Sequence, residues 1–129
     1  MNFGAFEGKN YEQLNGNPQY QAWIDSNGTL PFPEGESRAE FIDRVCAGMD
    51  NAADYLRNYA QSNLCRDCGI DREVTVAAVV HGGTIMALLS HYGGGDYYDY
   101  QVENADGFSC QILIAGEQIR FVTQERGFR

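Results

Sequence analysis

The stretch that most limits the folds open to this chain is an apolar run followed by a histidine and two glycines. Val74–Val80 (Val-Thr-Val-Ala-Ala-Val-Val) contains neither a charge nor a turn residue, which is typical of a parallel strand covered on both faces. His81–Gly83 ends that strand, and Thr84 is a suitable N-cap for a short apolar helix that ends near Gly93. The pattern predicts a strand, a tight turn and a helix within an α/β fold.

The turn after this strand, formed by His81, Gly82, Gly83 and Thr84, is the candidate functional site. Open α/β sheets bind ligands at the carboxyl ends of their strands, and the free N–H groups at the start of a helix attract anions. Paired glycines also let a backbone come close to a ligand. His81 therefore occupies the place of a residue beside a bound phosphate. The alternative is a histidine that ends a buried strand and hydrogen-bonds a neighbouring carbonyl.

Length and charge narrow the class of protein. The 129 residues predict one domain, residues 1–129, without repeats. No apolar run approaches the roughly 20 residues of a membrane span, and the first residues do not resemble a signal peptide, so we expect a cytoplasmic protein. The net charge of −9 argues against nucleic acid and membranes as partners. A phosphate site must therefore gather its positive charge locally.

The cysteines offer one spacing that suggests chemistry, Cys65-Arg-Asp-Cys68. A structural zinc site needs four ligands, and a redox pair normally opens a helix directly after a strand. This pair instead follows a predicted helix, which favours reduced thiols in a surface loop. A local disulfide, adventitious metal and a redox or metal-binding module remain the alternatives.

The clearest helix begins with the capping box Ser37–Glu40, after which apolar residues recur at intervals of three and four, namely Phe41, Val45, Met49, Ala52, Leu56 and Tyr59. We predict a helix over residues 38–62 with one face on the sheet. Earlier in the chain, apolar residues between Tyr11 and Ile24 surround a break at Asn15–Pro18, which predicts two short helical turns.

The last third of the chain contains tyrosines and a predicted hairpin. The three tyrosines of residues 97–100 could line a substrate mouth or pack a loop onto the surface. Phe108–Ala115 and Gln118–Thr123 alternate apolar and polar residues around a glycine turn, which predicts a β-hairpin at the edge of the sheet. We expect the polar tail, Gln124–Arg129, to be loose.

Several segments have motifs that occur together in one known family. Asn2–Gly8 resembles an FG-x-W/F-EG segment, and Pro33–Ser37 resembles a PGGES helix start, with Arg44 matching an arginine of the next helix. Val79–Gly83 resembles a second catalytic motif, and Asn104 falls where an asparagine often precedes the last strand pair. In order and spacing the chain resembles the histidine phosphatase superfamily, the phosphoglycerate mutase-like proteins.

This resemblance implies a three-layer α/β fold, a phosphoglycerate mutase-like sheet with helices on both faces. It implies phosphomonoester hydrolysis or phosphoryl transfer through a phosphohistidine. In the family, the histidine of an Arg-His-Gly motif is the nucleophile, two arginines and a second histidine hold the phosphoryl oxygens, and a glutamate protonates the leaving oxygen. His81 corresponds to the second histidine. The implied ligand is a phosphorylated small molecule or inorganic phosphate, with no cofactor or metal.

The chain departs from the family in the rest of the catalytic set. It contains two histidines, His81 and His91, and no Arg-His-Gly. We therefore expect the carboxyl-terminal portion of a histidine phosphatase, missing its first strand and inactive as given, whose exposed apolar edge leads to self-association as a dimer. The alternative is a non-catalytic protein of the same fold that binds a phosphate ligand or a partner. His91 is no substitute nucleophile, because the helical rise places it roughly 13 Å from His81.

Overall fold

The structure is a computed structural model that describes residues 1–63 and 73–127. The chain divides into two compact units, Met1–Arg44 and Val45–Arg129, and the prediction of one domain stays a prediction. The helices and strands, in chain order, are α1 (Tyr11–Leu14), α2 (Pro18–Asp25), α3 (Arg38–Asn63), α4 (Gly82–Gly93), β1 (Phe108–Ala115) and β2 (Gln118–Arg126), with short 3₁₀ turns at Gly4–Phe6 and Tyr97–Tyr100.

Aromatic side chains form the core of the first unit. Phe6, Leu14 and Phe32 are buried together, and Tyr20 and Trp23 pack against them. The Phe32 ring lies 4.8 Å from the Trp23 ring and 6.0 Å from the Phe6 ring, measured between centroids. Aromatic rings remove large apolar areas from water, so a few of them can hold short segments together.

The amino-terminal segment is bound to the loop that precedes α3. The Ala5 N–H donates to the Pro33 carbonyl at 2.8 Å, and the Glu36 N–H donates to the Asn2 carbonyl at 2.9 Å. Gly4 has a φ of +54°, and a Cβ at this position would overlap the Pro33 carbonyl oxygen. Only glycine meets both conditions without strain.

The predicted break between two short helical turns is confirmed. The Asn10 side chain accepts the Gln13 N–H at the start of α1. The Asn17 side chain caps α2, whose first residue is Pro18, a position at which proline loses no helical hydrogen bond. Local side-chain chemistry therefore explains both helix starts.

The long helix α3 confirms the prediction over residues 38–62. The Glu40 N–H donates to Ser37 Oγ at 3.2 Å, and the Ser37 N–H donates to Glu40 Oε2 at 2.8 Å, which completes the capping box. The buried stripe differs from the expected one near its end, because Ala53 is fully buried whereas Ala52 and Tyr59 are exposed.

The second unit contains the predicted β-hairpin. β1 and β2 are antiparallel, and a two-residue turn joins Ala115 to Gln118. β2 continues to Arg126, so the expectation of a loose tail from Gln124 is wrong for its first three residues. These residues pair with Phe108–Cys110, and that pairing satisfies backbone groups whatever the polarity of the side chains.

Tyr92 joins α4 to its neighbours within the second unit. Its ring stacks on Phe121 of β2 at a centroid distance of 5.5 Å. Its hydroxyl lies 3.4 Å from Asp50 Oδ1 and 3.5 Å from the Cys46 carbonyl oxygen, both on α3. Burial is the largest cause that raises the pKa of this hydroxyl, so it is a neutral donor at physiological pH.

Val74–Val80, predicted as a buried parallel strand, forms no strand. Every residue from Glu73 to Val80 is exposed, and Val79 is fully so. A strand needs a neighbour for its N–H and C=O groups, and no other described residue hydrogen-bonds the backbone of this segment. The sheet of the described residues is the two-stranded hairpin. The helices and the hairpin agree with an α/β fold, and the three-layer arrangement stays a prediction.

Candidate functional site

His81 lies at the N-cap of α4, with an extended backbone at φ −69° and ψ 150°. Its carbonyl accepts the Thr84 N–H at 2.9 Å and the Ile85 N–H at 3.3 Å. Thr84 was predicted to be the N-cap, which is wrong, because Gly82 and Gly83 already form the first turn of the helix. The His81 side chain makes no capping hydrogen bond and is exposed, so its imidazole is open to a ligand.

The two glycines after His81 supply the first N–H groups of α4. At the start of a helix these donors have no acceptor within the helix, and within the described part of the chain neither has one elsewhere. A Cβ at Gly82 would lie 3.7 Å from Val102 Cγ2, an ordinary contact, so crowding does not explain this glycine. The four predicted site residues thus form one short turn with an imidazole and free amide donors, an arrangement suited to an anion.

Tyr97 is a residue of this site that sequence reasoning left unassigned. Its hydroxyl donates to the Gly83 carbonyl at 3.3 Å, and its side chain is half-buried. The tyrosine-rich run was the available signal, but a periodic pattern does not tell which tyrosine turns toward the glycines. Of the two interpretations offered for these tyrosines, Tyr97 fits packing of the loop against the turn.

A second charged cluster lies in the first unit, around Arg44. Its guanidinium donates to both carboxylate oxygens of Glu36, Nε to Oε1 at 2.9 Å and Nη2 to Oε2 at 3.0 Å. The Asn2 N–H also donates to Glu36 Oε2 at 3.1 Å. The Glu36 side chain is 12% exposed and that of Arg44 is 61% exposed. Hydrogen bonding to Arg44 holds the pKa of Glu36 below its usual value.

The ion pair with Glu36 determines the role of Arg44 in this structure. Its charge is neutralised by Glu36 in a bidentate pair, a geometry in which both partners satisfy each other. Here the arginine holds the amino-terminal segment beside the start of α3, through the carboxylate that also accepts from Asn2. The described contacts of Arg44 are therefore structural.

Comparison with known protein families gives a match along nearly the whole chain. Residues 1–122 match the family described as histidine phosphatase superfamily (branch 1). The chain belongs to this superfamily. No curated protein and no solved structure gives a match. The family predicted from the motifs is thereby confirmed.

Two family-like segments of this histidine phosphatase domain lie against each other. Asn2–Gly8 and Pro33–Ser37 meet through the Ala5 and Glu36 backbone hydrogen bonds of the first unit. Asn104, the residue expected before the last strands, is exposed in the turn that leads to β1. These three family-like motifs therefore lie in turns and loops of the backbone.

His91, the other histidine of this histidine phosphatase domain, lies in the last turn of α4. It is exposed, and its ring meets the edge of the Tyr92 ring at a centroid distance of 4.7 Å. It lies at the opposite end of the helix from His81, where the helical rise predicts it.

The structure describes two of the four cysteines of the chain. Cys65 and Cys68 lie outside the described residues, whereas Cys46 is buried and Cys110 is half-buried. Burial raises the pKa of Cys110, which makes it a poor nucleophile. Among residues 1–63 and 73–127 no group of three acidic, histidine or cysteine side chains could hold a metal. In the same ranges, no helix has the length and apolar character needed to cross a membrane.

Proposed function

We propose that the turn His81-Gly82-Gly83-Thr84 binds the phosphoryl group of a phosphorylated small molecule, or inorganic phosphate. The observation that supports this proposal is an exposed imidazole beside the unpaired first amides of α4, in a chain of the histidine phosphatase superfamily. The amides would donate to the phosphoryl oxygens, and a protonated imidazole would add positive charge. In a chain of net charge −9 such local donors are needed, because the overall field repels an anion.

The parent activity we propose is phosphomonoester hydrolysis or phosphoryl transfer through a phosphohistidine. In that reaction the phosphorus–oxygen bond to the leaving group breaks as a bond to a histidine nitrogen forms, and the leaving oxygen takes a proton from an acid. Water or a second hydroxyl then takes the phosphoryl group from the histidine. His81 would stabilise the charge on the transferring group and would not be the nucleophile.

By this proposal the chain has no useful turnover. It contains no Arg-His-Gly, so the nucleophile, its clamping arginine and the neighbouring strand of a three-layer sheet would have to come from residues outside this sequence. Loss of a covalent nucleophile removes most of the rate enhancement of such an enzyme. A generic aryl phosphate should therefore not be hydrolysed by the purified chain. Turnover that disappears in His81→Ala would overturn this part of the proposal.

A non-catalytic protein that binds a phosphate ligand is the second candidate. It is favoured by the retention of His81 and both glycines in a chain that contains no Arg-His-Gly. Reading the source DNA in frame upstream of the Met1 codon separates the candidates. An open frame that reaches an Arg-His-Gly favours the parent phosphatase, and a stop codon favours the binding protein.

Both candidates require that the His81 turn bind phosphate. Isothermal titration with inorganic phosphate at millimolar concentration should give heat with the wild type and with His91→Ala, and none with His81→Ala. His91→Ala is the matched control, because it removes the other exposed histidine at the far end of α4. Heat that is absent from the wild type, or unchanged in His81→Ala, would contradict the proposed site.

A further inference from the structure

The hydroxyl of Tyr97 is directed at the turn that carries His81. It donates to the Gly83 carbonyl at 3.3 Å, and the side chain is half-buried. Tyr97 opens the short 3₁₀ turn Tyr97–Tyr100, which follows α4, so this hydrogen bond joins residues fourteen positions apart. The segment after the helix is therefore bonded to the first turn of the same helix.

One peptide group links Tyr97 to His81. The Gly83 carbonyl, which accepts from Tyr97, and the Thr84 N–H belong to the same planar peptide group. The Thr84 N–H donates to the His81 carbonyl at 2.9 Å. This peptide group is thus held at both ends, by the tyrosine hydroxyl on one side and by the backbone of His81 on the other. Hydrogen bonds in such a chain polarise and strengthen one another.

The turn needs such support because two of its residues are glycines. Glycine loses more conformational freedom on folding than any other residue, so Gly82 and Gly83 by themselves favour no single geometry at the start of α4. Val102 lies beside the first of them, since its Cγ2 is 3.7 Å from the position that a Cβ on Gly82 would take. The segment 97–102 therefore supports both glycines, one through an apolar contact and the other through a hydrogen bond.

We propose that Tyr97 is a positioning residue of the phosphate site, which keeps Gly82 and Gly83 in the helical turn so that their N–H groups and the His81 imidazole face one ligand. This inference rests on the proposed function of that turn. The Tyr97 hydroxyl acts through the backbone and does not touch the phosphate. Its loss lowers the fraction of molecules whose turn is ready to bind, and the apparent affinity for phosphate falls in proportion.

Tyr100 provides a matched control at the other end of α4. Its hydroxyl donates to the carbonyl of Gly94, the C-cap of the helix, and its side chain is also half-buried. Tyr97→Phe and Tyr100→Phe therefore each delete one hydrogen bond from a tyrosine to a backbone carbonyl, at opposite ends of one helix. A role in stability alone affects both variants, whereas a role in the site affects the first and spares the second.

Heteronuclear NMR of the full, isotope-labelled chain, titrated with inorganic phosphate, measures the affinity through the amide shifts of Gly82 and Gly83. The wild type and Tyr100→Phe should bind equally. Tyr97→Phe should bind severalfold more weakly, up to about tenfold, which is what one neutral hydrogen bond can contribute. Circular dichroism checks that each variant keeps its helices. Equal affinity in all three proteins, or equal weakening in both variants, would overturn the positioning role while the phosphate site stands.

Amide hydrogen exchange without phosphate separates this inference from the proposed function. The Thr84 amide, which donates to the His81 carbonyl, should exchange severalfold faster in Tyr97→Phe than in the wild type or in Tyr100→Phe. Unchanged exchange would overturn the positioning role even where the turn binds phosphate. A wild type whose amides do not shift with phosphate contradicts the proposed function itself, and the inference falls with it because there is then no phosphate site to position.

Discussion

The first unit and the segment Val74–Val80 show opposite relations between apolar sequence and burial. In the first unit Phe6, Leu14 and Phe32 lie in a chain rich in asparagine, glycine and proline, and all three are buried. The run Val74–Val80 is far more apolar, and every one of its residues is exposed. Apolar composition alone therefore does not decide burial.

The difference comes from where each region finds its hydrogen-bond partners. In the first unit, Asn10 and Asn17 cap their own helices, and the Ala5 N–H donates to the Pro33 carbonyl in the loop before α3. All of these partners lie within the unit itself. A strand of Val74–Val80 needs another strand, which no described residue supplies.

Among the substitutions that test this comparison, Phe32→Ala should cause the largest loss of stability. Phe32 is 6% exposed and contacts the rings of Phe3, Phe6 and Trp23. Its removal leaves a cavity and should lower the free energy of unfolding by about 3–5 kcal/mol. Urea unfolding followed by the fluorescence of Trp23, the only tryptophan, measures it. Val79→Ala, measured in dilute protein, should change stability by less than about 0.5 kcal/mol. Equal losses of stability in Phe32→Ala and Val79→Ala would contradict the difference in burial between the two regions.

The next largest effect is expected for Gly4→Ala, which tests the close approach in the first unit. A Cβ there would overlap the Pro33 carbonyl at a positive φ, and should destabilise the chain by about 1–3 kcal/mol. Gly48→Ala is the control, because that helical glycine has open space around it. The control should raise stability by about 0.5–1 kcal/mol. Thermal melts of both variants check the opposite signs, and the same sign in both would contradict this explanation.

Removal of the helix cap should have a smaller effect. Ser37→Ala deletes the side chain that accepts the Glu40 N–H and should reduce stability by about 1 kcal/mol. Ser37→Asp keeps an acceptor at the same position and should retain most of the stability. Circular dichroism during urea unfolding follows both variants. A loss of similar size in Ser37→Asp would show that the cap is not the cause.

The smallest effect is expected from the Glu36–Arg44 pair, and it depends on pH. Because hydrogen bonding to Arg44 lowers the pKa of Glu36 in the folded chain, its stabilising contribution is present above the ordinary value of 4.5 and is lost as pH falls through the lowered folded value. Solvent reaches Arg44 and screens the pair, so this contribution is smaller than that of the helix cap. Glu36→Gln should remove this part of the acid dependence, measured by urea unfolding between neutral and acidic pH. Glu34→Gln should keep it, and equal slopes in Glu36→Gln and the wild type would contradict the assignment.

Much of the local structure could be predicted from residue patterns. The capping box at Ser37, the break before Pro18 and the hairpin from Phe108 were all located correctly, because each depends on neighbours within a few residues. The candidate site was located as a turn before a helix for the same reason. The cap of α4 was misplaced by three residues, since glycines adopt a helical first turn as readily as a loop.

Other features depended on contacts between distant parts of the chain. No spacing rule pairs Glu36 with Arg44 and Asn2, or turns Tyr97 toward Gly83. The apolar pattern of Val74–Val80 predicted a strand that the structure does not form, because a strand exists only where a second backbone meets it. Sequence patterns thus established the helices, the hairpin and the family, because short-range hydrogen bonds and residue types decide these. Only the packed chain decided which apolar residues are buried, since burial requires a partner surface that a local pattern does not contain.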